Sequence, residues 1–207
     1  MKTINLMLAV LVSSTLAFAA DKKTENKSAS KSKDMTISKD IAGDIKWTGF
    51  GVGKSHAGTI QLKSGKIEMK NENIVGGTLV FDMKTLAADK FDYSDKLTGH
   101  LKSEDFFNTE KFDTATLKIT KVSPLKSGPN AFEITGDLTI KDKTSPITFN
   151  TVVTKTGDVL KASGTAEIKD RTKYGIVYNS KQFATLSKLG DKLIEDNIKI
   201  DINVMTK

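Results

Sequence analysis

The chain has 207 residues, with 32 basic residues against 25 acidic ones, a net charge of +7 and no cysteine. That length favours one domain with a core of its own, and the missing cysteine excludes disulfides, thiolate catalysis and cysteine-ligated zinc. The basic excess is nearly all lysine interspersed with acids, without a basic helix or a run of exposed aromatics. It reads as a solvated surface, and no nucleic-acid partner is expected.

Residues 1–19 read as an export signal. Lys2 supplies the positive start, residues 4–18 an apolar run too short for a membrane span, and Ala17-Phe18-Ala19 the small residues of a cleavage site after Ala19. The expected location is the periplasm. Residues 21–34 hold no large apolar side chain, so residues 20–36 are expected to form a flexible leader. The folded domain is then residues 37–207.

From there the pattern is that of strands. Residues 44–50, 56–63, 66–70 and 74–84 read as a four-strand meander with turns at Ser64-Gly65 and at residues 71–73. Residues 97–120 break the rhythm. Leu97, Leu101, Phe106 and Phe107 fall on one side of a short helical turn, with Lys102, Glu104 and Asp105 opposite. Such an amphipathic plug can close one end of a barrel, or it can be a crossover covering a sheet edge. Strands follow at residues 115–122, 132–141, 147–153 and 159–168, with a turn at Asp142-Lys143. A loop over residues 170–190 contains a short helix near residues 180–189, and the last strand spans residues 193–205. Eight or nine long strands with one apolar and one charged face argue against buried parallel sheet and fit an antiparallel barrel or sandwich. An eight-stranded barrel is wide enough to be filled by side chains or to hold one small ligand.

Chemistry-bearing residues are sparse. The two histidines, His56 and His100, have no metal-ligand spacing around them. There is no Gly-x-Ser-x-Gly elbow, and Gly51-x-Gly53 lacks the third glycine of a phosphate loop. No catalytic residue, metal or cofactor is expected, and the chain does not read as an enzyme. Arg171 is the single arginine; its planar fork suits Asp170 or a ligand head group, in a way lysine cannot imitate.

Several segments together resemble the YceI-like family. They are Trp47-Thr48-Gly49 followed by His56-x-Gly58-Thr59-Ile60, and Leu97-x-x-His100-Leu101-Lys102-Ser103-x-Asp105-Phe106-Phe107 with the strand Thr114-Ala115-Thr116-Leu117-Lys118-Ile119-Thr120. Gly136-Asp137-Leu138-Thr139-Ile140, Asp170-Arg171-Thr172-Lys173-Tyr174 and Asp191-Lys192-x-Ile194-x-Asp196 continue the likeness over about residues 37–205. The long loop at residues 178–190 departs from it.

The resemblance implies an all-β fold: an extended, lipocalin-like antiparallel barrel, usually exported to the periplasm. Combined with the pattern, this gives eight strands, a short helical segment after the fourth strand and a helical loop before the last. It also implies a lumen holding a long amphiphile, such as a polyisoprenoid, a quinone precursor or a fatty-acid amide, for transport or storage, with no catalytic residues. The expected lumenal contacts are Ile67, Met69, Leu79, Phe81, Leu101, Phe106, Phe107, Phe132, Ile134, Leu138, Ile140, Phe149, Ile200 and Ile202, with polar contacts from His100 and Arg171 near one end. A tail of about 16 carbons at about 0.8 kcal/mol per buried methylene would gain on the order of 10 kcal/mol. Transient membrane contact and pairing of two chains are compatible with this reading. The alternative is a solid-core envelope stress or interaction protein with no lumenal ligand.

Overall fold

The period-two alternation is realised as eight strands, each antiparallel to the next, with the last hydrogen-bonded to the first so that the sheet closes into a barrel. The computed structural model describes residues 36–207. The strands are β1 (Thr36–Gly51), β2 (Lys54–Lys70), β3 (Asn73–Ala88), β4 (Thr114–Pro124), β5 (Ala131–Ile140), β6 (Lys143–Thr156), β7 (Val159–Ile168) and β8 (Ile194–Thr206), with one helix, α1 (Ser94–Lys102), after β3. The expected export signal, its cleavage site and residues 20–35 of the leader lie outside the described residues.

Local chemistry sets the turns. Asn71 and Glu72, both at positive φ, join β2 to β3, and Lys141 and Asp142, also at positive φ, join β5 to β6. Two residues in that conformation give the turn whose twist matches antiparallel strands. The second turn falls one residue earlier than the sequence reading placed it.

Two expectations are corrected. Ser64-Gly65 is not a turn: β2 runs straight through it, paired with β3 on both sides of a register shift between Leu62 and Ser64. A Cβ on Gly65 would lie 2.3 Å from Ile41 Cγ1, so the glycine makes room for the Ile41 side chain beside a bulge. Losing that turn merges two expected strands into one, and the helix therefore follows the third strand, not the fourth. The loop before β8 is helical in part as expected, with single turns at Arg171–Tyr174, Leu186–Leu189 and Gly190–Lys192.

Alternation then sorts the side chains. Ile45, Ile60, Leu79, Phe81, Leu117, Leu138, Ile147 and Phe149 point inward and are buried. Outward positions such as Lys66, Glu68, Lys118, Asp137 and Glu167 are exposed, which gives the barrel a charged exterior unlike the apolar outer band of a membrane barrel. Among the described residues no helix is long and apolar enough to cross a membrane.

The plug is pinned to the barrel wall. Lys102 Nζ donates to the Lys84 carbonyl at 2.7 Å, the Ala88 amide donates to Thr98 Oγ1 at 3.0 Å, and Lys141 Nζ donates to the Phe106 carbonyl at 2.6 Å. These bonds hold α1 and the turn after it over the end where β3 and β5 finish.

Candidate functional site: an apolar cavity in one half of the barrel

The two halves of the lumen are filled differently. At the end where β1 begins and β8 finishes, Ile41, Ile67, Met69, Ile134, Leu160 and Val204 are buried together with Thr151 and Thr206. Both hydroxyls are used: Thr151 Oγ1 donates to the Ser163 carbonyl at 2.9 Å, and Thr206 Oγ1 accepts from the Leu160 amide at 2.9 Å. Paired polar groups let this end pack as a solid core.

The other half encloses a cavity of about 420 Å³. Its walls come from all eight strands: Ile45 and Trp47, Ile60, Leu79 with Phe81 and Met83, Ala115 and Leu117, Leu138 and Ile140, Ile147 and Phe149, Ala166 and Ile168, and Ile198 with Ile200 and Ile202. Leu97, His100, Leu101, Phe106 and Phe107 of the plug and Ile176 and Tyr178 of the β7–β8 loop complete the lining. The cavity reaches the surface beside Lys54, Asp191 and Lys192, which are exposed. On β1 the lining extends from Ile45 to Gly51, a depth of about 15 Å once strand rise and tilt are combined.

Most of the expected apolar contacts meet here: Leu79, Phe81, Leu101, Phe106, Phe107, Leu138, Ile140, Phe149, Ile200 and Ile202 all border the space. Four do not. Ile67, Met69 and Ile134 are buried in the solid half and Phe132 packs partly buried against the core, because alternation decides which face a residue takes and not how far along the axis the hollow extends. Sequence reading missed Ile45, Trp47, Met83, Ile147, Ala166 and Ile168 as wall residues, although each falls on the inward face of a strand it had recognised. Trp47 fits only because Gly58 lies opposite: a Cβ there would come within 2.6 Å of the indole.

Most polar groups at the wall have protein partners, but the buried Trp47 indole N–H has none. His100 Nε2 lies 3.2 Å from Asp105 Oδ2, and its ring meets Phe106 and Tyr178 edge-on at 5.0 and 4.7 Å. His56 also borders the cavity, away from the His100–Asp105 pair, and stacks on Phe91 with centroids 5.0 Å apart. Among the described residues no group of three or more His, Asp or Glu could hold a metal ion.

Arg171 is 2% exposed and its guanidinium is spent on backbone. Nε donates to the Glu195 carbonyl at 3.1 Å, Nη1 to Ile176 at 2.8 Å, and Nη2 to Tyr178 at 2.9 Å and Ile194 at 3.1 Å. A loop with little regular structure leaves carbonyls without donors, and one planar fork satisfies four of them. Burial pulls the arginine's pKa down, against the opposing charges of Asp196 and Asp170. The carboxylate nearest its nitrogens is Asp196 at 3.5 Å, not the neighbour Asp170 that the sequence suggested. Asp170 instead caps the turn Arg171–Tyr174 by accepting from the Thr172 amide at 2.9 Å. Asp196 is in turn held by Ser180 Oγ at 3.0 Å and Gln182 Nε2 at 2.8 Å. Arg171 therefore borders the cavity as the clamp of the loop beside its mouth.

Comparison with known proteins agrees with this architecture. Among solved structures the fold resembles Burkholderia cenocepacia BcnA, with a TM-score of 0.62 and 17% identity, covering 79% of this chain and 96% of that one. It also resembles a structure described as a polyisoprenoid binding domain from Saccharophagus degradans implicated in plant cell wall breakdown, with a TM-score of 0.57 and 14% identity, covering 84% of this chain and 99% of that one. In sequence, Protein YceI of Escherichia coli O157:H7 is 37% identical over 92 residues, which is 40% of this chain and 47% of that protein. The match thus spans about half the length of the curated relatives. The YceI-like domain profile, however, matches residues 15–206, nearly the whole barrel and its approach, and on that span the chain belongs to the YceI-like domain family.

Proposed function

We propose that the protein is an exported, non-enzymatic carrier or store that holds the hydrocarbon chain of an amphiphile inside its barrel. The observation that carries this reading is the cavity of about 420 Å³ with mostly apolar walls and a mouth at the surface. It falls within the range of small-molecule sites, about 300–1,000 Å³. A methylene takes up about the room of one liquid water molecule, ~30 Å³, so the space suits a chain of roughly 14 carbons. At about 0.8 kcal/mol per methylene the gross gain is on the order of 10 kcal/mol. About 4 kcal/mol or more goes to lost freedom, which leaves roughly 6 kcal/mol, an affinity in the tens of micromolar. A longer polyisoprenoid would leave its remainder outside the mouth. The structural likeness to a domain described as polyisoprenoid binding supports the ligand class, and the signal-like residues 1–19 support export to the periplasm.

The walls from Leu79, Phe81, Leu138, Ile140, Phe149, Ile200 and Ile202 would contact the chain, and Leu101, Phe106 and Phe107 would cover it. Organic extraction of the purified protein followed by mass spectrometry tests the proposal. A chain lipid recovered in proportion to protein is expected, with saturable uptake of a fluorescent fatty acid by the extracted protein. Repeated recovery of no lipid, together with no uptake, refutes it.

A further inference from the structure

We propose that the β7–β8 loop is a docking element for an anionic lipid bilayer, seating the cavity mouth against the membrane; this rests on reading the cavity as a lipid site. The loop is unusual in what it leaves in solvent. Val177, Tyr178 and Phe183 are exposed, Phe183 by 62%, where a loop would ordinarily present polar side chains. Around them Lys188, Lys192 and Lys181, the last 3.7 Å from the Glu195 carboxylate, are exposed as well. Within residues 169–192 the exposed charges are these three with Lys169 and Lys173, against Asp191; Asp170 is occupied as a cap by Thr172 and Gln182. Apolar and aromatic tips among lysines match a bilayer interface, where rings enter the headgroup layer and ammonium groups meet anionic lipid.

Two further observations select a bilayer. The loop is continuous with the mouth, since Tyr178, Asn179, Asp191 and Lys192 also border the cavity. It is clamped from beneath by the four carbonyl bonds of Arg171, so little ordering remains to be done on contact. The β1–β2 turn at the same end adds Val52, half exposed, next to Lys54 of the mouth. A chain lipid resides in a membrane, and a carrier whose mouth faces the headgroups can exchange it without exposing the tail to water.

The test uses the full chain with vesicles of phosphatidylcholine alone or mixed with phosphatidylglycerol, their acyl chains brominated as quenchers. Phe183→Trp reports from the loop and Val152→Trp from the opposite end of the barrel, where Val152 is exposed. Trp47 borders the cavity and is common to both, so quenching of each reporter is read as the difference from the wild-type chain, which carries Trp47 alone. The expected result is quenching of Phe183→Trp on anionic vesicles only, reversed by high salt, with Val152→Trp unquenched. Combining Lys181→Glu, Lys188→Glu and Lys192→Glu should weaken binding at least tenfold, since each lysine near an anionic surface is worth about fivefold. Quenching at Val152→Trp but not Phe183→Trp, or equal binding to neutral vesicles, overturns the proposal. Self-association in vesicle-free buffer that Phe183→Ala abolishes also overturns it, in favour of a second copy as occupant. Fluorescent fatty-acid uptake measured on the same samples without vesicles separates the two readings: uptake without docking sinks the docking face alone, and docking without uptake sinks the cavity reading.

Discussion

Replacing Arg171 by methionine keeps the apolar stem of the side chain and removes the guanidinium with its five donors. Four carbonyls, those of Ile176, Tyr178, Ile194 and Glu195, lose their partner, and Asp196, 7% exposed, loses the cation 3.5 Å away. Hydrogen bonds from a charged donor contribute about 1.5–3 kcal/mol each, and stripping one member from a buried ion pair costs about 3–5 kcal/mol. The terms overlap and the loop can open to let water reach some carbonyls, so they do not add; about 4–6 kcal/mol is expected. For a domain of this size each kcal/mol moves the midpoint by about 2–4 °C, so Arg171→Met should melt roughly 10–20 °C lower by circular dichroism or calorimetry. Arg171→Lys should recover less than half of the loss, because one ammonium cannot reach four carbonyls spread over β8 and the loop. A fall of less than about 1 kcal/mol in denaturant-derived stability, with an unchanged m-value, would refute the clamp.

Three other outcomes test the division of the lumen and the chemistry around it. Ala166→Phe puts six more carbons into the hollow half, where Ala166 forms wall; fatty-acid uptake should fall at least a hundredfold, since about 0.8 kcal/mol is lost per displaced methylene, while the melting temperature holds. Ile134→Phe in the solid half should do the reverse, costing about 1–3 kcal/mol by overpacking and sparing uptake; equal behaviour of the two variants would contradict a half-filled barrel. Gly58→Ala should cost more than about 2 kcal/mol in urea unfolding, because its Cβ would meet the Ala87 carbonyl at 1.9 Å as well as the Trp47 ring. Burial raises the Asp170 carboxyl's pKa, but hydrogen bonds from the Thr172 side chain and backbone and from Gln182, with Lys173 nearby, outweigh it and hold the group below its ordinary value. The stabilisation is therefore complete above the unfolded value of about 3.9 and is lost as pH falls through the folded one. The gap in melting temperature between wild type and Asp170→Asn should shrink on acidification, and a gap constant down to the acid limit would be the contrary result.

Much of the barrel was legible because alternation is a strong signal wherever one face is buried and the other charged. The inward rows of β3, β5 and β8 could be written down from the sequence, and so could the plug around Leu101 and Phe106. Gly65 misled because glycine after serine between alternating runs has the look of a turn, and only the proximity of Ile41 reveals the bulge. The axial position of the hollow was illegible for a different reason. Ile67 and Phe81 obey the same alternation rule, and what separates them is how neighbouring strands stagger around the barrel, which no local pattern encodes. Arg171 stood out as the lone arginine, yet its partners are carbonyls, which leave no trace in residue identity.

Because β1 is bonded on one side to β2 and on the other to β8, the two ends of the domain depend on each other. The first strand holds an open edge until the thirteen residues of β8 arrive, and until then the nascent chain is a curled sheet with two sticky margins. Closure is a long-range event, slow compared with the hairpins that precede it. A polypeptide built this way completes its fold only once β8 is delivered.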